Sequence, residues 1–377
     1  MNFDFTGPEK AFFAEISKAL DPEINRRDLE SGDTDAVRDN LSAVLNALAP
    51  TGYLKIGLAQ SDVPVSGTLA LMAAMEQLAG VSYSSFLSVE MSTRLFGRAL
   101  RWDDSLSVEG ILTGLITGTI VGALALSEAA MNVEYEPLTT SGSRDGETFV
   151  INGSKSFVIN GPVANWFAVV GRVEEQMAIF VIDRRTPGLT LTDRQATMGY
   201  DGLAVCGLDL CDCRVPTEWV LGPFDADACL GQLKLWENQI LIAASLGLMR
   251  NSYETARDYA KTHRSGGKPI IAYQEVGFKL SEMLTLYQTA QLYAYRAAWS
   301  VDDNPKEAGV LTLCAKVFCT ESAEIVAGKS LQVQSKDGYI AGGAAEQAYR
   351  CAKYGQIAGI STEIARVKIG DTALGKI

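Results

Sequence analysis

Apolar residues recur at three- and four-residue intervals over residues 36–48 and 69–78, which predicts amphipathic helices in the first third of the chain. From about residue 121 the pattern changes. Short runs rich in Val, Ile and Phe cover 149–152, 157–160, 166–170, 177–182 and 189–191. Arg144-Asp-Gly and Thr186-Pro-Gly punctuate them, so this stretch predicts strands joined by tight turns. After Pro223 the helical period returns over 233–250, 252–262, 273–298 and 306–328, in long segments poor in Pro. The order predicts an α+β chain of three domains: helices over 1–120, a β-barrel over 121–224 and a four-helix bundle over 225–377.

Val-Ile-Asn-Gly is written twice, at 150–153 and 158–161. Asn tolerates positive φ and Gly has no Cβ to clash, so Asn-Gly favours turns. The doubled phrase predicts a hairpin at Asn152-Gly153 and an abrupt strand end at Asn160-Gly161.

Composition narrows the function. The chain has 377 residues, of which 47% are hydrophobic, enough for a large core and more than one domain. A net charge of -12 argues against nucleic acid or an anionic membrane as partner. No apolar run is long enough to span a bilayer, and the opening MNFDFTGPEKAFF lacks the basic-then-apolar order of a signal peptide. The expectation is a soluble, cytoplasmic protein. Cys211 and Cys213 are one residue apart, but no second Cys or His pair completes a metal site, so the seven cysteines predict buried free thiols and no metal. His263 is the only histidine, in the polar stretch 262–268. A Ser-His-Asp triad would depend on it, so acid or base chemistry falls to a carboxylate.

Glu237 is such a carboxylate. On a helix it shares a face with Leu241, Ala244 and Leu248, extending an apolar stripe. A helix starting after Asp225 or Asp227 puts it beyond the first turn, where the macrodipole does not explain it. It reads either as a catalytic base or as a buried Glu paired with a Lys or Arg.

Several phrases together resemble the acyl-CoA dehydrogenase family of flavoproteins, over essentially the whole chain. They are Leu126-Ser-Glu, the run DGETFVINGSKSFVINGPVANWFAVV, and RVPTEWVLG at the exit from the strand-rich region. The resemblance implies FAD, with Leu126 among its contacts, Ser127 at the flavin pyrimidine and Phe157 packed on the isoalloxazine. It implies that Val158 and Ile159 offer backbone groups to the ring edge, and that Ser361 touches the adenosine side, with Glu363 in the same segment. It places Arg264, Gln332 and Lys336 in segments that reach the FAD of a neighbouring subunit, implying a homodimer or homotetramer.

The departures are informative. Ile159 stands where the family usually has Thr. Gly359 stands where most members carry the base, in Gly355-Gln-Ile-Ala-Gly-Ile-Ser-Thr-Glu-Ile-Ala-Arg366. WENQILIAASLGLM, from Trp236, is similar to the isovaleryl and long-chain members that carry the base on an earlier helix, which implies Glu237 as catalytic. The family's Gly-x-Gly-Ser-Asp loop, a pantetheine contact, is replaced by Ala130-Met-Asn-Val-Glu134, and Lys336 replaces a Gly. These losses resemble members that oxidise small acyl groups on an acyl carrier protein, as in making hydroxymalonyl or aminomalonyl units for polyketides. Electrons would pass to an electron-accepting flavoprotein or to oxygen. The alternatives are a short- or branched-chain acyl-CoA dehydrogenase of catabolism and a catalytically inactive partner subunit.

Overall fold

The computed structural model describes residues 3–20, 33–59, 63–102, 108–129 and 136–376. The segment Ala130 to Glu134, singled out above, lies outside the described residues. Helices Gly7–Ala19, Thr34–Leu48, Gly67–Val81, Tyr83–Glu90 and Glu109–Thr117 come first, and a π-helical stretch, Met91–Gly97, follows the fourth. Eight strands follow: β1 Gly122–Ala125, β2 Ser141–Asp145, β3 Thr148–Ile159, β4 Trp166–Val173, β5 Gln176–Asp183, β6 Leu189–Leu191, β7 Val205–Pro216 and β8 Val220–Phe224. The long helices Ala226–Thr262, Gln274–Asp303 and Pro305–Gly338 then pack together, joined by Ala344–Ala352 and Thr362–Ala373. No helix among the described residues is long and apolar enough to cross a membrane.

The strands form one sheet in the order β6-β7-β3-β2-β4-β5-β8, with β1 added parallel to β4. Among the described residues the strand pairing ends on β6 and β8, so the domain expected as a β-barrel is a sheet with two ends. The sheet has its own core of Ile151, Val158, Phe167, Phe180, Leu208 and Val215. A second, larger core joins the N-terminal helices to the C-terminal ones and includes Ile159 and Val205 from the sheet. Chemistry placed where these two cores meet is walled by strands on one side and helices on the other.

Three local expectations change. The predicted hairpin at Asn152-Gly153 is absent: β3 runs unbroken through it for 12 residues. Gly153 sits at φ 149, and a Cβ there would lie 2.6 Å from Thr140 Cα. Asn152 and Asp212 exchange hydrogen bonds across the bulge opposite, 2.8 and 3.2 Å long, so this Asn-Gly bends a strand instead of ending it. The same bulge breaks the inward–outward alternation, leaving Cys213 buried but Cys211 exposed, contrary to the expectation of uniformly buried thiols. The helix expected to break near residue 251 is continuous from Ala226 to Thr262, capped by the Asp225 carboxylate, which accepts from Ala228 N at 2.9 Å.

The second Asn-Gly does end its strand. Asn160 takes φ 66, donates its backbone N–H to Ala204 O at 2.7 Å, and donates its side-chain amide to Ser88 O at 2.9 Å. One residue thus stops β3 and pins it to the helix Tyr83–Glu90.

Candidate active site

A cavity of about 610 Å³ opens where sheet and helices meet. Leu124, Leu126 and Ser127 enter it from the end of β1, and Phe157 and Ile159 from the end of β3. Met91 and Leu95 come from the π-helical stretch, whose four-residue spacing in a widened turn sets both on this wall. Leu233, Lys234 and Glu237 come from the long helix Ala226–Thr262, and the segment from Tyr354 to Ile364 closes the remaining side.

The loop after β1 is held by a buried ion pair. Lys155 Nζ donates to Glu128 Oε1 at 2.7 Å and to the Leu126 carbonyl at 3.0 Å. Glu128 also accepts from the backbone of Thr139 and Thr140, at 2.7 and 3.0 Å. Burial pushes the Glu128 carboxyl up, but the hydrogen bonds from Lys155, Thr139 and Thr140 outweigh it and hold its pKa at about 2. Burial brings the Lys155 ammonium down to about 8, against the pull of Glu128. Both groups stay charged at neutral pH, and together they fix the Leu126 carbonyl, and so Ser127, at the cavity edge. Ser156 N donates to Ser127 O at 2.9 Å, joining the β1 exit to β3. The β3–β7 register shifts between Lys155 and Val158, taking Phe157 out of regular pairing, half-buried on the cavity wall.

Opposite chemistry comes from the helix. The Glu237 side chain is 18% exposed. Lys234, one turn earlier, places Nζ 3.6 Å from Glu237 Oε2 and donates to the Gly359 carbonyl at 2.7 Å. The pairing weighed above for Glu237 is therefore present, and it lies on the cavity wall. Leu241, Ala244 and Leu248 on the same face are buried, as the spacing predicts. Tyr354 stacks near Phe157 with ring centroids 6.3 Å apart, and burial, then the Glu237 carboxylate, push its hydroxyl well up.

The cavity brings together Leu126, Ser127, Phe157, Ile159, Glu237 and Ser361 from four separate parts of the chain. Ser361 also caps the helix Thr362–Ala373, accepting from Ile364 N at 3.4 Å. The Val158 side chain points into the sheet core instead. Glu363 is exposed in the first turn of that last helix, its carboxyl lowered by its own backbone N–H and the Ser361 hydroxyl. Arg264, exposed on a short hairpin, donates to Gly267 O, and Gln332 and Lys336 are exposed on the helix Pro305–Gly338. None of these four lines the cavity. Sequence reading missed Lys234, although its i,i+3 spacing to Glu237 was visible. It also missed Tyr354, Thr197 and Met198, which tertiary contacts alone bring in. Arg350 holds that loop by bonding Met198 O at 2.6 Å and Asp201 at 3.0 and 2.8 Å.

The residues fit a flavin. A half-buried aromatic, a hydroxyl whose loop is locked by a buried ion pair, and apolar walls line one cavity large enough for a tricyclic ring.

Comparison with known proteins gives the same picture. Residues 123–213 match the profile for the acyl-CoA dehydrogenase middle domain, and 234–374 match the profile for its C-terminal domain. Short-chain specific acyl-CoA dehydrogenase of Rattus norvegicus is 29% identical over 339 residues, 85% of this chain and 82% of that protein. Butyryl-CoA dehydrogenase from Megasphaera elsdenii superposes with a TM-score of 0.88 at 22% identity, covering 99% of this chain and all of that one. The prolyl acyl carrier protein oxidase AnaB superposes at 0.82 with 22% identity, covering 98% of this chain and all of that one. At such identities the solved structures show a shared fold.

Proposed function

We propose that this chain, which belongs to the acyl-CoA dehydrogenase family and is an FAD-dependent oxidoreductase of acyl thioesters, uses Glu237 to take the α-proton of a small acyl group carried by an acyl carrier protein. The observation that carries the catalytic part is the cavity itself. It collects Glu237 with Ser127 and Phe157, while Gly359 supplies no side chain.

In the proposed reaction the α C–H bond breaks and its proton passes to a Glu237 carboxylate oxygen. A C–C double bond forms as the β-hydrogen leaves with its electron pair. FAD supplies the acceptor for that hydride. Phe157 would pack against the flavin, and Ser127 would offer it a hydroxyl. Leu95, Leu124, Leu233 and Ile360 exclude water around the acyl group. Lys234 and Gly359 fix the carboxylate's surroundings through the 2.7 Å bond between them.

The carrier-protein part of the reading draws on the replaced 130–134 segment and on the carrier named for AnaB. Within it, a place in polyketide extender-unit formation and a homodimeric or homotetrameric assembly complete the proposal. An electron-accepting flavoprotein or oxygen takes the electrons. Anaerobic flavin bleaching with matched acyl-CoA and acyl-carrier-protein substrates tests it. Bleaching by carrier-bound substrates is expected. Efficient bleaching by free acyl-CoA alone would favour a short- or branched-chain acyl-CoA dehydrogenase.

A further inference from the structure

Lys234 is a costly residue in its place. Its side chain is 11% exposed on the wall of a largely apolar cavity. An ammonium has three N–H donors. Among the described residues it makes one hydrogen bond, to the Gly359 carbonyl at 2.7 Å. Glu237 Oε2, at 3.6 Å, neutralises it without a hydrogen bond. Donors facing a cavity with no protein acceptor await one from a ligand.

Charge balance says what kind. Among the cavity-lining residues Lys234 supplies the one ammonium group and Glu237 the one carboxylate. When Glu237 accepts a proton it becomes neutral. The Lys234 ammonium then loses the counter-charge that stood 3.6 Å away, an expensive change for a group so little exposed unless another anion comes within reach. A saturated hydrocarbon acyl chain offers it nothing. An anionic oxygen on the substrate restores the balance at the moment Glu237 loses its charge, so the attraction strengthens as the reaction proceeds.

We infer that Lys234 is a specificity-determining residue that receives a carboxylate on the acyl group, one or two bonds from the α-carbon, so that the substrate is a dicarboxylic acyl thioester. The placement follows from the geometry: a carboxylate oxygen in hydrogen-bond reach of Nζ is close to Glu237 Oε2, and Glu237 must touch the α-hydrogen. The inference rests on the reading of Glu237 as the base, and its test separates the two.

The test measures binding in the FAD-loaded Glu237→Gln protein by calorimetry and by the ligand-induced change in the flavin spectrum. The probes are pantetheine thioesters in pairs that share a carbon skeleton, succinyl against butyryl and methylmalonyl against isobutyryl. The carboxylated member of each pair is expected to bind more tightly. Adding Lys234→Met should weaken it about ten- to hundredfold, as loss of a charge-assisted hydrogen bond does. The uncharged member should change by less than about threefold by the same reasoning. Lys234→Arg should restore the preference. If the Met variant loses FAD, Lys234→Gln, which can still donate to the Gly359 carbonyl, takes its place. Equal weakening of both members, as a structural role would produce, overturns the inference, and so does equal binding of both in the parent protein. Rapid turnover by Glu237→Gln would sink the base reading instead, while the ligand contrast would still report on Lys234.

Discussion

Asn238 Oδ1 stands 2.6 Å from the point where a Cβ on Gly359 would lie. The same oxygen accepts from Ile360 N at 3.4 Å, and Gly359 itself holds φ +68. The position that bears a carboxylate in most relatives by resemblance is therefore disfavoured for a side chain twice over, by a strained backbone conformation and by a neighbour that would have to move.

Gly359→Ala should destabilise the protein by about 1–3 kcal/mol, the cost of a strained φ with a clash added. Urea unfolding measures it. Gly359→Glu in a Glu237→Gln background should not recover activity, because the new side chain strains the backbone at φ +68 and must displace Asn238. Recovery would show that Asn238 yields and that this position still addresses the substrate.

The Glu128–Lys155 pair should make stability depend on acid in a defined window. Glu128 has a folded pKa of about 2 against an ordinary 4.5. A depressed carboxyl contributes fully above pH 4.5, and that contribution is lost as pH falls toward 2. Glu128→Gln leaves Lys155 buried without its partner, and should cost about 3–5 kcal/mol at pH 7. The gap between wild type and variant should narrow steadily below pH 4.5. A gap independent of pH would show that the charge is not what matters.

Much of the fold was legible because periodicity changes sharply at the two borders of the strand-rich region. Leu126, Ser127, Phe157, Ser361 and Glu237 were legible through local phrases and a helix face. What the chain did not disclose depends on contacts distant in sequence. Asn152-Gly153 and Asn160-Gly161 are the same letters, yet one bends a strand against Asp212 and the other ends it against Ser88. Tyr354 joins the site because its helix docks beside Phe157, which no spacing announces. Lys234 precedes Glu237 by one helical turn, but its bond to the Gly359 carbonyl is made by the fold and not by any local spacing.

Ser335 holds φ 54 and ψ -131 inside the helix Pro305–Gly338, a conformation that glycine adopts freely and other residues resist. Its side chain is exposed, so little packing would be lost with it. Ser335→Gly should raise stability by about 1 kcal/mol, seen as a higher urea midpoint with an unchanged slope. A lower midpoint would mean that the serine hydroxyl makes up for the strain.

The proposed reaction turns on removal of the α-proton by Glu237. Glu237→Gln keeps the size and polarity of the side chain but cannot accept that proton. Single-turnover flavin reduction, followed anaerobically with a substrate competent in the wild type, reads the step directly. The rate should fall by about 10²–10⁴, as removal of a general base does, with FAD retained at wild-type occupancy. Reduction at a near-wild-type rate would eliminate Glu237 as the base.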